Sequence, residues 1–585
     1  MARAAVKRPR LLLVLILVAA AALRLIGLGW GLPHQPSRDE RVFVESAWKM
    51  RVAGDADQRF YEYPGLVFDL LAAVFLVIPA QGETPPPIAT AAARGVIAVF
   101  GVASVGLVYA IGNRLLGRRA GLFAAALLAV SPVAVETAHM VRPDVVLETF
   151  VLLTFLALAA AGRGAGADVG SALALGAAMA AKLTGWLLAP VYVAGRVLAP
   201  GSWRRLVFTL LLAVTVMVAF TPSAVLRWSA LLGGLRDQVA FHYAQTPTLG
   251  SWARLVAFYA GVALRALGPI GLLLAVAGVV LAWGDLRSWL GIVLFPGVLV
   301  AVLATAVVGH DRLLVPALGL LTLLAAGAFD AAAERRPDFG MALAGATLAV
   351  PLAFSVLADV RFLRPNPYER ALGWLQGRPQ DRVLFIYYRL KLDSPRFQLH
   401  PPELSVAERR LLARHFDLVA SPPDEPEVAG FRLERAADPD PGWPGPHWPR
   451  LAFYSPGPLA LRYEPVDLRF ATLAGSEGSE ALSAVADGEP DTAWSAAGDG
   501  WLQVDFAAPV NLGRITIEGT SAECPLGRVW TANGTPWAEP TAVTMSGARV
   551  LDPAPVRALR LGPAAGCAGR FRVAELRLEA AAGAP

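Results

Sequence analysis

The stretch "GLPHQPSRDERVF", residues 31–43, comes directly after an apolar run that starts at Leu11 and reaches Trp30. That run has the roughly 20 residues a helix needs to cross a bilayer, so the adjacent carboxylates Asp39 and Glu40 stand just past one membrane face. The basic start "MARAAVKRPR" and the alanines at 19–22 also suit a cleavable export signal. Continuation of the run beyond Arg24 favours an uncleaved first helix. On either reading, the chain beyond it is exported.

Working outward from this pair, the whole chain divides in two. Of its 585 residues 55% are hydrophobic and only 17% charged, with a mean hydropathy of +0.51. About a quarter charged would be ordinary for a soluble enzyme. The deficit lies before residue 358, where apolar runs rich in Leu, Ala and Val succeed one another. The expected class is therefore a polytopic helical membrane protein with a soluble C-terminal part. The net charge of +6 does not argue for nucleic acid, because arginines in such chains mostly set topology.

Arginine clusters at "NRLLGRR" (113–119), "GSWRRL" (201–206), "GDLRSW" (284–289) and "AAAERRPD" (331–338) mark cytoplasmic loops. Between them about eleven spans are expected, near 10–30, 92–112, 119–138, 145–161, 169–181, 184–199, 206–221, 266–283, 288–307, 313–329 and 339–358. The run 65–80 is short, carries Asp69 and would invert the arginine bias if it crossed, so it reads as a helix in the outer interface. The N-terminus is then cytoplasmic and the C-terminal part extracytoplasmic. Cys524 and Cys567, the only cysteines, lie in that part and suit a disulfide in an oxidising compartment.

This threading gathers Asp39, Glu40, Arg94, Arg142, Asp144, Lys182, His310 and Arg312 at the outer face. Ionisable residues at such depth face a cavity or a partner. Acids beside cations suit a site for an anionic group. Outside the cytoplasm no nucleotide-activated donor is expected, whereas a sugar on a polyprenyl phosphate fits, its phosphate meeting cations such as Arg94, Lys182 or Arg312. One carboxylate would take the acceptor hydroxyl's proton. Because phosphate leaves readily, cations can replace the second acid that a glycosidase needs.

The ordered set "PSRDERVFVESAWKM" (36–50), "FYEYPGLVFDLL" (60–71), residues 93–150, "AAKLTGW" (180–186) and "HDRLLVPAL" (310–318) resembles the GT-C glycosyltransferases. The branch it is most similar to holds the protein O-mannosyltransferases and the lipid A aminoarabinose transferases. The resemblance implies a GT-C fold and Asp39 as base, with Glu40 and Asp144 beside it. It further implies Lys182 and Arg312 as donor contacts; Arg94 and Arg142 are further candidates for the donor phosphate, and Tyr63 and His310 for substrate. It also implies a juxtamembrane helix over 65–80 and no required metal. A divalent ion held by Asp39, Glu40 and Asp144 is the second option. Tyr63 and Val42 stand where the aminoarabinose transferases carry Lys and Arg, which disfavours that sugar.

Beyond the spans, residues 359–465 alternate helical and strand patterns, as in a small α/β module. His400 and His415 read there as surface or packing residues, and Trp443 and Trp448 as loop residues that pack. Residues 466–585 carry short strands between Gly and Pro turns. The segments 484–519 and 571–579 resemble discoidin-type β-sandwiches, with Trp494 and Trp501 as core. Such folds often bind carbohydrate. The expected activity is transfer of a sugar from a polyprenyl phosphate to a protein, lipid or polysaccharide acceptor at a bacterial-type plasma membrane. A flippase of lipid-linked sugar and a non-catalytic glycan sensor are the alternatives.

Overall fold

Apolar runs in a bilayer must satisfy their backbone internally, and helices do so within one segment. The computed structural model describes residues 9–582 except 33–37, 80–81, 83, 160–164, 199–202, 244–247, 365–366, 379–381, 386–396, 400–403, 422–427, 438–450, 457–459, 488, 490–491, 498–499, 520–525, 534–536, 538–541, 546–547, 564–566 and 568. It separates into two units, Met1–Asn366 with Gly442–His447, and Pro367–Pro441 with Trp448–Pro585.

The first unit is helical. Its helices are α1 (Pro9–Leu25), α2 (Arg38–Ala53), α3 (Leu66–Phe75), α4 (Pro87–Leu115), α5 (Arg118–Ala129), α6 (Pro132–Ala138), α7 (Pro143–Leu158) and α8 (Ala165–Ala181). Next come α9 (Leu188–Leu198), α10 (Trp203–Ala219), α11 (Ser223–Leu226), α12 (Trp228–His242), α13 (Leu249–Ala282), α14 (Leu286–Leu303), α15 (Val315–Arg335) and α16 (Pro337–Phe362). Every segment expected to span carries a helix, with α5 and α6 sharing one segment across a 57° bend. Among the described residues four helices are long and apolar enough to cross alone: α4, α13, α15 with the turn before it, and α16. The bent pair makes a fifth. Helix α3, at ten residues, is about 15 Å long, half the apolar thickness of a bilayer. Length thus keeps it from spanning.

Two departures from the expected threading matter for the site. Residues 38–43, "RDERVF", form the start of a helix, α2, which packs on α3 with Phe43 stacked on Phe68 at 4.8 Å. And α13 begins 17 residues before the expected span, at a capping box in which Thr248 and Ser251 satisfy each other's backbone N–H groups. It breaks at Gly268, whose φ of 71° is followed by Pro269. That left-handed backbone is cheap only for glycine, and the proline lacks the N–H to continue the ladder. At one end of the unit, Arg119 at the start of α5 pairs with Asp330 of α15 at 2.8 Å. Two of the arginine-rich loops therefore share an end.

The second unit holds α17 (Pro367–Gln376), α18 (Val406–Ala413) and two main sheets. Strands β1 (Val383–Phe385), β2 (Phe397–Leu399), β3 (Leu418–Ser421), β4 (Arg432–Ala437) and β5 (Leu451–Ser455) pair in the order β2-β1-β3-β5-β4. The first three run parallel, as an α/β module requires. Strands β6 (Arg462–Pro465), β7 (Ala471–Gly475), β8 (Trp494–Ala497), β9 (Leu502–Glu518) and β10 (Leu526–Ala532) begin the sandwich. It is completed by β11 (Ala542–Met545), β12 (Ala548–Pro563), β13 (Arg570–Val573) and β14 (Glu575–Ala582). Its larger sheet runs β10-β12-β9-β14-β6, and β13 pairs with β8. Strand β6, expected in the α/β module, thus belongs to the sandwich sheet. Cys567 is disulfide-bonded; Cys524, the chain's other cysteine, lies outside the described residues, as do His400, Trp443 and Trp448.

Trp494 is fully buried in the sandwich core. Trp501 is not core. It is half-buried and stacks on the Arg560 guanidinium, 4.4 Å from the ring centre, with Trp537 on the same guanidinium at 4.7 Å. Alternation along β9 explains this: Leu502 and Val504 point inward, so Gln503 and Asp505 share the outer face, where Gln503 accepts from Arg560 at 2.6 Å. His415 is buried and stacks on Tyr463 at 4.7 Å, a packing role.

Candidate active site

Asp39 and Glu40 both lie in the first turn of α2, where the exposed backbone N–H groups favour negative charge. Successive residues on an α-helix point about 100° apart, and the two carboxylates go to different places. Glu40 is fully buried and takes a two-pronged pair from Arg94 of α4, at 2.6 and 2.8 Å. The same guanidinium donates to the carbonyls of Leu28 and Trp30 and lies 4.4 Å from the Trp30 ring. Glu40 also accepts the Val141 N–H at 3.1 Å. The pair ties the end of the first span, α2, α4 and the turn before α7 into one knot. Neither residue has surface open to a substrate, so Glu40 is not placed for chemistry and Arg94 is not placed to hold a donor phosphate. Both correct the expectation from sequence.

Asp39 keeps about a third of its side chain exposed and faces cations instead. Arg312 reaches its Oδ2 at 2.9 Å, and the Arg142 Nε stands 3.7 Å from the same oxygen. Burial alone would raise the Asp39 carboxyl, but Arg312, Arg142, Lys182 and His310 together outweigh it and hold it below the usual aspartate range. It is a charged, accessible carboxylate. Arg142 sits just ahead of Pro143, which starts α7, and its Nε is buried without a hydrogen-bond partner. Burial, then the charge of Arg312, lowers the Arg142 guanidinium.

Asp144, in the first turn of α7, is 1% exposed and bonds the Lys182 ammonium at 2.6 Å, while its Oδ2 has no partner. Sealed in this way, Asp144 cannot meet an acceptor. It holds Lys182, which burial lowers against the pull of Asp144. This is the third correction. Tyr63 and His310 do face the site: burial and then the Asp39 charge push the Tyr63 hydroxyl up to about 12. Burial and Arg312 push His310 down to about 4, so it is a neutral imidazole at physiological pH. His242, at the end of α12, was not marked by any motif. Its ring lies 6.3 Å from that of His310, and it feels the charges of Lys182 and Arg312. Among the described residues no group of three His, Cys, Asp or Glu side chains has metal-binding geometry. Asp39, Glu40 and Asp144 each take a cation from a side chain instead.

A cavity of about 520 Å³ lies between α7, α8 and α10, lined by Phe150, Leu153, Leu173, Val216 and Phe220 among others. Its walls are apolar, and Arg114 stands at one end.

Residues 89–228 match the family model for dolichyl-phosphate-mannose-protein mannosyltransferases. The apo oligosaccharyltransferase of Archaeoglobus fulgidus superposes with a TM-score of 0.50 at 11% identity, over 71% of this chain and 69% of that one. The membrane unit has the GT-C fold. ArnT from Cupriavidus metallidurans, in a structure bound to undecaprenyl phosphate, aligns with this GT-C chain at 17% identity and a TM-score of 0.47, over 76% of this chain and 98% of its own. An F5/8 type C domain from Bacteroides fragilis aligns at 17% identity over 20% of this chain and 97% of that domain, with a TM-score of 0.19. No curated protein matches by sequence.

Proposed function

We propose that this GT-C protein moves a sugar from a polyprenyl-phosphate donor to an acceptor hydroxyl on the outer face of a plasma membrane, with Asp39 as the base. The observation that carries the reading is an accessible carboxylate, Asp39, set between Arg142 and Arg312 with Lys182 nearby. Three cations face two carboxylates there, Asp39 and Asp144, which leaves room for an anion. The buried Arg142 Nε makes no hydrogen bond in the protein and can donate to a phosphate oxygen.

In this mechanism the acceptor hydroxyl gives its proton to Asp39 as its oxygen bonds the anomeric carbon. The bond from that carbon to the phosphate oxygen breaks, and the charge gathering on the phosphate is met by Arg142, Arg312 and Lys182. Fixed cations in a site poor in water act without reorganising, which is why they serve a leaving phosphate. No metal is needed, since side chains supply the positive charge. The apolar cavity between α7, α8 and α10 suits an isoprenoid chain. The mannosyltransferase family match over 89–228 supports a lipid-linked donor, and the acceptor class stays open among protein, lipid and polysaccharide.

The test uses the full chain in detergent with a panel of labelled polyprenyl-phosphate sugars and crude cell-envelope acceptor. Release of free polyprenyl phosphate with one sugar supports the reading and names the donor. No release from any donor would count against it and return weight to a flippase or a sensor.

A further inference from the structure

Arg312 is the cation closest to Asp39, yet it stands on a turn outside the helices, residues 304–314 between α14 and α15. Something must fix that turn for Arg312 to reach its target. Three ties do so, and all come from α12 and the part of α13 before its break. The Val307 N–H donates to the His242 carbonyl at 2.8 Å. The Phe258 ring lies so close to Gly309 that any added Cβ would sit 2.6 Å from it. Arg265 pairs with Asp311 at 2.7 Å, both side chains about a third exposed.

The last tie acts on the residue next to Arg312. Asp311 and Arg312 open a 3-10 turn, Asp311–Leu314, in which neighbouring side chains diverge by about 120°. Pinning Asp311 toward α13 therefore turns Arg312 the other way, toward Asp39. Arg265 itself stands three residues before the Gly268–Pro269 break.

We propose that Arg265 is a positioning residue: through its pair with Asp311 it aims Arg312 at Asp39. It touches neither substrate nor reacting atoms, and the link to turnover rests on the proposed sugar transfer with Asp39 as base. The aiming itself does not.

The test is a double-mutant cycle between Asp39→Asn and Arg312→Met, read as melting temperature of the full chain in detergent, in the native background and with Arg265→Met. The proposal expects the two substitutions to be non-additive in the native background and additive once Arg265 is Met, with Arg265→Lys restoring the coupling. A purely structural Arg265 would lower every melting temperature and leave the coupling intact, which overturns the proposal. So would the absence of coupling in the native background. In the same variants, turnover against pH gives a second readout. The groups facing Asp39 are Arg312, Arg142, Lys182 and His310, so freeing Arg312 should move the acid limb upward. A limb that stays put while coupling is lost would keep the aiming and count against Asp39 as the base.

Discussion

Asp39 and Glu40 are neighbours on one helical turn, and their surroundings are opposite. Glu40 is fully buried, its two oxygens matched to the fork of one arginine and to a backbone N–H. Asp39 is open to solvent, and two arginines crowd one of its oxygens without enclosing it. A sealed, fully bonded ion pair fixes structure, because breaking it strands a charge away from water. An open carboxylate held charged by nearby cations can exchange protons with a guest. The dipeptide is thus a strut and, on the proposed function, a tool side by side, and burial tells them apart.

The largest expected effect breaks the tool. Asp39→Asn should cost donor turnover about 10²–10⁴-fold in a protein that still folds. Glu40→Gln should do the reverse in kind. It leaves Arg94 buried with a neutral partner and should destabilise the protein by about 3–5 kcal/mol, measured by unfolding, and any activity loss should follow the folded fraction. A Glu40→Gln protein that melts normally yet fails to turn over would break the contrast.

Removing a cation should fall next. Arg312→Met should lower kcat about 10²–10³-fold, the usual cost of one charge-stabilising donor. It also sharpens the comparison through pH. Since the cations hold Asp39 low, turnover should persist to acid pH and fall only as pH drops through a value below the ordinary aspartate figure of about 3.9. In Arg312→Met that fall should come at higher pH. The smallest effect is expected at His310. Pushed down to about 4, it is already neutral across the physiological range, so the pH profile should show no inflection near 6.5 and His310→Gln should change turnover less than about tenfold.

Much of this was legible in sequence. The apolar runs placed the helices, because a bilayer demands long apolar helices; which loops the arginine clusters leave inside stays an expectation. The strands of the C-terminal β-sandwich announced themselves by alternation. What stayed hidden has physical causes. Helix α12, "WSALLGGLRDQVAFH" over 228–242, mixes charges and paired glycines and so shows no apolar run. The outer part of α13 carries Arg254 and Arg265, which moved its expected start to where the run becomes uninterrupted. The capping pair Thr248 and Ser251 was the signal that could have found its true start. The fates of Glu40 and Asp144 were hidden for another reason. A carboxylate in a motif looks the same whether it meets substrate or an arginine, and only the fold brings Arg94 and Lys182 onto them.

One paired measurement tests the role of Asp39 most directly: release of polyprenyl phosphate and melting temperature for wild type and Asp39→Asn, with whichever labelled donor the native protein uses. An Asp39 base predicts turnover in the wild type, loss of about two to four orders of magnitude in the variant, and a variant that still unfolds as a folded protein on heating. Turnover retained by a folded Asp39→Asn protein would contradict it and move the base away from Asp39.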